Sequence, residues 1–279
     1  MTEDAESAEK LPNWKVTLAY DGTDFSGWQV QPGERTIQGE LQAALGRITG
    51  ESPLPQGSGR TDAGVHALGQ VASFALAAPI PAGNLLRALN RALPQAIRVV
   101  DAEGVAADFH ARHSAVAKTY EYRVFREAIC PPELARYVLA CSWPLDLDEM
   151  DRAARLFEGE HDFLSFAATD PDLKTRGLAL DEDVGAVGGR GAVRIVFSSG
   201  WERRTIEAGE LLVYRVRGNG FLHHMVRNLV GTLIVVGRGR LKAEGVPGIL
   251  AARARAAAGP TAPAQGLFLR SVEYREDSF

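Results

Sequence analysis

Four glycines fall within the fourteen residues 57–70, Gly-Ser-Gly-Arg-Thr-Asp-Ala-Gly-Val-His-Ala-Leu-Gly-Gln. Glycine permits turns that residues with a Cβ resist, and it lets a ligand or a second segment come close. The run that follows, Gln70-Val71-Ala72-Ser73-Phe74-Ala75-Leu76, is short and mostly apolar and reads as a buried strand. The chain must therefore bury a strand whose entrance is a tight polar loop. That loop displays a cation, a hydroxyl and a carboxylate in succession: Arg60, Thr61 and Asp62. Taken alone, an Asp-Ala-Gly needs no function, since Asp and Gly dominate turns for conformational reasons, and Arg60 would be a surface cation.

Strand and helix patterns flank this loop on both sides. Residues 1–13 begin with an acidic run and are expected to form a disordered tail. Residues 14–20 read as a strand that enters the turn Asp21-Gly22-Thr23-Asp24 and then Phe25-Ser26-Gly27-Trp28-Gln29. Thr36 stands before an amphipathic helix with Ile37, Leu41, Leu45 and Ile48 on one stripe. A second helix, over residues 81–93, aligns Leu85, Leu89 and Leu93 and is ended by Pro94. A strand at 97–100 completes a strand–helix–strand–helix–strand unit, so an N-terminal lobe is expected over 14–108 and a C-terminal lobe over 109–279.

In the second half, His110 and His113 have no further metal ligands near them in sequence. Residues 118–125 alternate as a strand with Tyr120 and Tyr122 on one face. Asp148 is expected to cap a helix whose stripe is Leu147, Met150, Ala154 and Phe157. Residues 168–191 are rich in Asp and Gly, lack periodicity and read as a flexible loop. Residues 193–197 and 211–216 predict a hairpin. Leu222, Met225, Val226, Leu229, Leu233 and Ile234 predict a helix with His224, Arg227 and Asn228 on another side. An Ala/Arg-rich helix is expected over 247–258, and a final strand ending near Tyr274.

At 279 residues the chain can hold one large domain or two modest ones. Cys130 and Cys141 form no CxxC pair and join no His/Cys cluster, which argues against a disulfide framework or zinc site and fits a reducing cytosol. The acidic start is not a signal peptide, and no apolar run approaches membrane-spanning length. Net charge is −4, but its distribution is uneven. Residues 190–242 carry ten Lys/Arg against three Glu, while 143–183 carry twelve acids against four bases. Such asymmetry suits one polyanion-facing surface, because binding follows local potential. It is equally compatible with solvated faces.

Gly-Arg-Thr-Asp-Ala-Gly-Val-His at 59–66 closely resembles the signature of the tRNA pseudouridine synthase A family. Four more blocks are similar to motifs of that family: Tyr-Asp-Gly, Phe and Gly-Trp-Gln between 20 and 29; Gly-x-x-Asp-Phe-x-Ser-Phe at 159–166; Phe-x-His-His-Met-Val-Arg-Asn at 221–228; and Ala-Pro-Ala-x-Gly-Leu-x-Leu at 262–269. The resemblance spans roughly 15–274. It departs after the Ser-Phe block, where the family's Thr-Val/Ile-Arg element is displaced, with 192–195 as its counterpart beyond an insertion.

The resemblance implies an α+β pseudouridine synthase fold, with two similar lobes, joined mixed and antiparallel sheets, and a central cleft holding Asp62. It makes Asp62 the catalytic residue, with Arg60, Tyr120, Arg227, Gly266 and Leu267 binding the substrate nucleotide. His110, Arg112, Arg194 and His224 are its further RNA contacts. The implied substrate is uridine at positions 38, 39 and 40 of the tRNA anticodon stem-loop. The implied enzyme is a cytoplasmic homodimer without metal or cofactor.

Isomerising uridine to pseudouridine breaks the C1′–N1 bond, turns the base and joins C5 to C1′, with no redox change and no added group. The sequence shows no P-loop, dinucleotide-binding GxGxxG or zinc spacing. A carboxylate could attack C1′ or C6, or remove a sugar proton; the residues leave these open. A dry pocket would raise the Asp62 pKa, and a pair with Arg60 would oppose that. Two other readings compete. A non-catalytic RNA-binding module needs no carboxylate at 62, and an Asp-nucleophile hydrolase or phosphotransferase needs metal-binding acids around it, which the sequence lacks. A synthase of other tRNA positions would share the same chemistry.

Overall fold

The computed structural model describes residues 12–168 and 190–275. The acidic tail through residue 11, and residues 169–189 of the long loop, lie outside the described residues.

Strand β1 (Asn13–Tyr20) buries every second residue, Trp14, Val16, Leu18 and Tyr20, as a period of two requires when one face is covered. The Thr36 hydroxyl accepts from Gly39 N at 3.3 Å and starts α1 (Ile37–Thr49), and Gly50 in the left-handed region ends it. A short β2 (Gln56–Gly57) and a long β3 (His66–Ala75) flank the glycine-rich loop. β3 begins four residues before its apolar run, so His66 is already part of the sheet. α2 (Ala82–Ala92) buries Leu85 and Leu89 and leads to β4 (Ile97–Val105).

The second half runs through β5 (Ala115–Phe125), α3 (Pro132–Ala135), β6 (Leu139–Ala140), α4 (Leu147–Arg155) and β7 (Gly159–Asp162). It continues through β8 (Val193–Ile206), β9 (Gly209–Gly218), α5 (Met225–Gly237), α6 (Val246–Ala252) and β10 (Leu267–Tyr274). These strands form one mixed sheet in the order β4-β1-β3-β10-β5-β9-β8-β7, with β2 beside β3 and β6 beside β5. The expected α+β class is observed.

The last strand joins the halves. β10 pairs parallel with β3, Phe268 opposite His66, and antiparallel with β5, Leu267 opposite Tyr122. One continuous apolar core follows, running from Trp14 on β1 to Leu229 on α5 and Leu269 on β10.

Four local expectations are corrected. Asp146, not Asp148, caps α4, accepting from Glu149 N at 3.0 Å, because its side chain is the one at the N-cap position. β8 extends nine residues past the expected end at Phe197. Its distal half is polar and is held by cross-strand pairing, including Arg215 Nη1 to Glu202 Oε2 at 3.0 Å, which hydrophobic alternation does not reveal. The helix expected over 247–258 ends at Ala252, where Arg253 turns left-handed (φ 49°), and Arg255–Ala257 is a 3₁₀ turn. Finally, α5 starts at Met225, so Leu222 of the expected stripe precedes the helix, and Asn228, expected on a side apart from the apolar stripe, is fully buried with it.

Candidate active site

Asp62 sits on the turn between β2 and β3, and its own carbonyl accepts from Val65 N at 3.1 Å. The Phe25–Gln29 loop supports this turn from behind. Trp28 N donates to Thr61 O at 2.9 Å, and Gly27 (φ +88°) lies so close that a Cβ there would be 2.7 Å from the same oxygen. Tyr20 OH and Thr61 Oγ1 share a buried hydrogen bond of 2.8 Å. On the upstream arm, Ser58 Oγ donates to Gln70 Oε1 (2.7 Å) and Gln70 Nε2 donates to Gly59 O (2.8 Å). Lys118 Nζ, from β5, donates to Ser58 O at 2.6 Å. The carbonyls of Ser58, Gly59 and Thr61, all just ahead of Asp62, are thus tied to neighbouring segments, which fixes where its side chain emerges.

The opposite wall comes from the segment entering α5. Arg227 Nη1 lies 3.0 Å from Asp62 Oδ2, and its Nε donates to Ala262 O at 2.8 Å. His223 Nε2 stands 3.4 Å from Oδ1 and His224 Nε2 3.2 Å from Oδ2. Burial pushes the Asp62 pKa up. A hydrogen bond from His223, the charges of His224 and His223, and the Arg227 hydrogen bond outweigh it and hold the carboxyl below its ordinary value. Burial also lowers the His224 imidazole. Asp62 opposes this, and His223, Arg227 and Arg255 add to the lowering. Near neutral pH, then, His224 is largely uncharged and Arg227 is the standing cation beside an ionised Asp62.

This corrects the expected partnership. The cation that holds Asp62 is Arg227, 165 residues downstream, and not Arg60, whose side chain is exposed at the mouth of the loop. His224, read from sequence as an RNA contact, faces the carboxylate.

Tyr120 is buried beside this cluster, its ring edge-on to Phe221 at 5.1 Å. Burial, then the charges of Tyr20 and Asp62, push its hydroxyl well above the usual tyrosine range, so it keeps its proton at neutral pH. Gly266 and Leu267 lie beneath the neighbouring Tyr122. A Cβ on Gly266 would stand 2.6 Å from Tyr122 Cζ, and Tyr122 OH donates to Pro263 O at 2.9 Å. His110 and Arg112 belong to the segment between β4 and β5, which is tied to β3 by Ala111 N donating to Ser73 Oγ at 3.0 Å. Arg194 opens β8, its Nη1 donating to Gly191 O and Val193 O. No contact joins these three to Asp62 among the described residues.

Three positions around the site carry contacts to which sequence reasoning gave no role. His223 lay within a quoted motif, yet no periodicity distinguishes it. Asn228 ties that motif to the 159–166 block and to the chain ahead of 262–269: its Nδ2 donates to Phe166 O (2.6 Å), and its Oδ1 accepts from Thr261 Oγ1 (2.7 Å) and Arg255 Nη2 (3.0 Å). His66 stacks on Phe268 at 4.7 Å, accepts from Gly22 N through Nδ1 (3.1 Å) and so donates through Nε2 to Arg136 O (2.9 Å).

The ligand atoms of Asp62, His223 and His224 lie within 4.8 Å of one another, a donor set of the two-histidine, one-carboxylate kind. Arg227 already neutralises the same carboxylate, which weighs against a second cation there.

The sequence model of the family described as tRNA pseudouridine synthase matches residues 17–114 and 153–275. A tRNA pseudouridine synthase A of Solibacter usitatus is 52% identical over 261 residues, covering 93% of this chain and 98% of that protein. The like-named protein of Moorella thermoacetica is 44% identical over 271 residues, 95% of this chain and 100% of its own length. That of Brevibacillus brevis is 42% identical over 260 residues, 93% and 98%.

Proposed function

We propose, from the premise that this chain belongs to the tRNA pseudouridine synthase family, that it isomerises uridine to pseudouridine in the tRNA anticodon stem-loop, at positions 38, 39 and 40. The observation that carries this reading is the Asp62 carboxylate, held ionised on a pinned loop between Arg227 and two histidines, with the protonated Tyr120 hydroxyl beside it. Asp62 supplies the attacking or proton-abstracting oxygen. Arg227 keeps it charged in a partly dry site, and Tyr120 offers an aromatic face and a donor to a uracil taken out of its stack. Electrons only move from one bond of the nucleotide to another, so these side chains suffice.

RNA would reach the site past Arg60 and the 109–114 segment, where His110 and Arg112 can take phosphate and set register without reading sequence. Arg194 lies on β8, within the base-rich stretch 190–242. The lobes over 14–108 and 109–279 would close the cleft from either side. No helix among the described residues is long and apolar enough to cross a membrane, and we place the enzyme in the cytoplasm as a homodimer.

The test is release of tritium from tRNA labelled at uridine C5, with wild type and Asp62→Ala side by side and binding measured for each. Wild type should release label, while Asp62→Ala should bind alike and lose at least about 10³-fold in rate. Binding without release by wild type, across a full set of tRNAs, would leave the RNA-binding module standing.

A further inference from the structure

Consecutive side chains diverge in regular structure, by about 180° along a strand and about 100° around a helix. His223 and His224 break that rule. Their rings lie side by side, with centroids 3.9 Å apart and planes tilted by 31°, and both Nε2 atoms face Asp62. The cause is local. His224 occupies the left-handed region (φ 57°, ψ 3°) at the N-cap of α5, one of two non-glycine residues among those described with positive φ. A histidine there is strained, and glycine would hold that backbone more cheaply. The N-cap side chain also makes no capping hydrogen bond, so helix formation does not account for it. The neighbours do hold the kink: Met225 N donates to Leu222 O at 3.0 Å, and Ala168 N donates to His223 O at 3.0 Å.

We propose that His223 and His224 are positioning residues that act through Asp62, and that the strained backbone at His224 exists to aim the second ring. This rests on the reading of Asp62 given above. With Arg227 and His224 on Oδ2 and His223 on Oδ1, the carboxylate has contacts on both oxygens and its rotation about the Cβ–Cγ bond is blocked. An oxygen that must meet one ribose or uracil carbon gains from that restriction, since a misplacement of about 1 Å can cost about a hundredfold in rate. His224 is accordingly assigned to orienting the reacting carboxylate rather than to gripping phosphate.

The test is the single-turnover rate of tritium release, with tRNA affinity and melting temperature measured for each variant. His224→Leu and His223→Leu should each slow release at least about tenfold with tRNA affinity within about twofold of wild type. His224→Gln, which returns an N–H near the place of Nε2, should recover much of the rate. His224→Gly should melt at or above the wild-type temperature yet be as slow as His224→Leu. If either leucine variant unfolds, His224→Gln and His224→Gly decide the matter through the same comparison. Leucine variants with wild-type rates, or rate losses matched by lost tRNA affinity, overturn the proposal while leaving the catalytic role of Asp62 intact. Release by Asp62→Ala, or none by wild type, instead overturns the reading on which the proposal stands.

Discussion

Arg227 Nη1 approaches Asp62 Oδ2 to 3.0 Å while the same guanidinium donates through Nε to Ala262 O at 2.8 Å. One planar group thus joins the Asp62 loop, the start of α5 and the segment leading to β10. A lysine has a single nitrogen and cannot serve both acceptors in that geometry. Arg227→Lys should therefore lose most of the activity, and Arg227→Ala about 10²-fold or more. Removing the cation also raises the Asp62 pKa. The acidic limb of the kcat/KM profile should move to higher pH in Arg227→Ala, which a pH series of tritium release reads directly.

The Thr61–Tyr20 hydrogen bond invites a double-mutant cycle. Thr61→Val strands the buried Tyr20 hydroxyl and Tyr20→Phe strands the Thr61 hydroxyl, and each should cost about 1–3 kcal/mol. Together they remove both polar groups, so the double variant should be less destabilised than the sum of the singles. Urea denaturation of the four proteins measures the coupling.

Gly27 is tested by Gly27→Ala. Its φ of +88° disfavours any Cβ, and the added carbon would sit 2.7 Å from Thr61 O. The overlap falls on the backbone of the Asp62 loop, so the loop must shift. Release should fall about tenfold or more, beyond any effect of lost stability. A crystal structure of the variant should show Asp62 displaced from Arg227.

On the sheet face, Glu121 has no exposed side-chain area and meets Arg123 Nε (2.8 Å), Arg215 Nε (3.1 Å) and Arg270 Nη1 (3.3 Å). Burial raises its pKa, but the hydrogen bonds and charges of Arg123 and then Arg215 outweigh that and hold it below the ordinary value. A carboxyl depressed in the folded state adds stability above its unfolded pKa, about 4.3. That stability is lost as pH falls through the folded value. Glu121→Ala should cost about 3 kcal/mol at neutral pH, a fall of about 6–10 °C in Tm. The variant's Tm should also fall less steeply than wild type below about pH 5.

Local facts were legible in the chain because they depend on neighbours in sequence. The Thr36 cap, the stripes of α1 and α2, the alternation of β1 and β5, and the glycine-rich loop at the mouth of β3 all follow from spacing and turn chemistry. The motif resemblance led to the family that the comparisons show. Where polar residues lie in regular structure, spacing failed. The distal half of β8 is held by cross-strand pairs, and Asp146 and Asp148 compete for one cap that only the helix's true first turn can assign.

What surrounds Asp62 was decided by tertiary structure. The sequence placed a carboxylate two residues from Arg60 and left Arg227 on the side of a distant helix. Its own positions determined the loop, the exposed cation and the amphipathic run that became α5. Only the sheet order, with β10 inserted between β3 and β5, brings the segment entering α5 against the loop before β3. Only the left-handed turn at His224 swings two successive rings onto the same carboxylate. The reason is physical: periodicity records which face of an element is buried, whereas an ion pair across 165 residues depends on how the elements pack against one another.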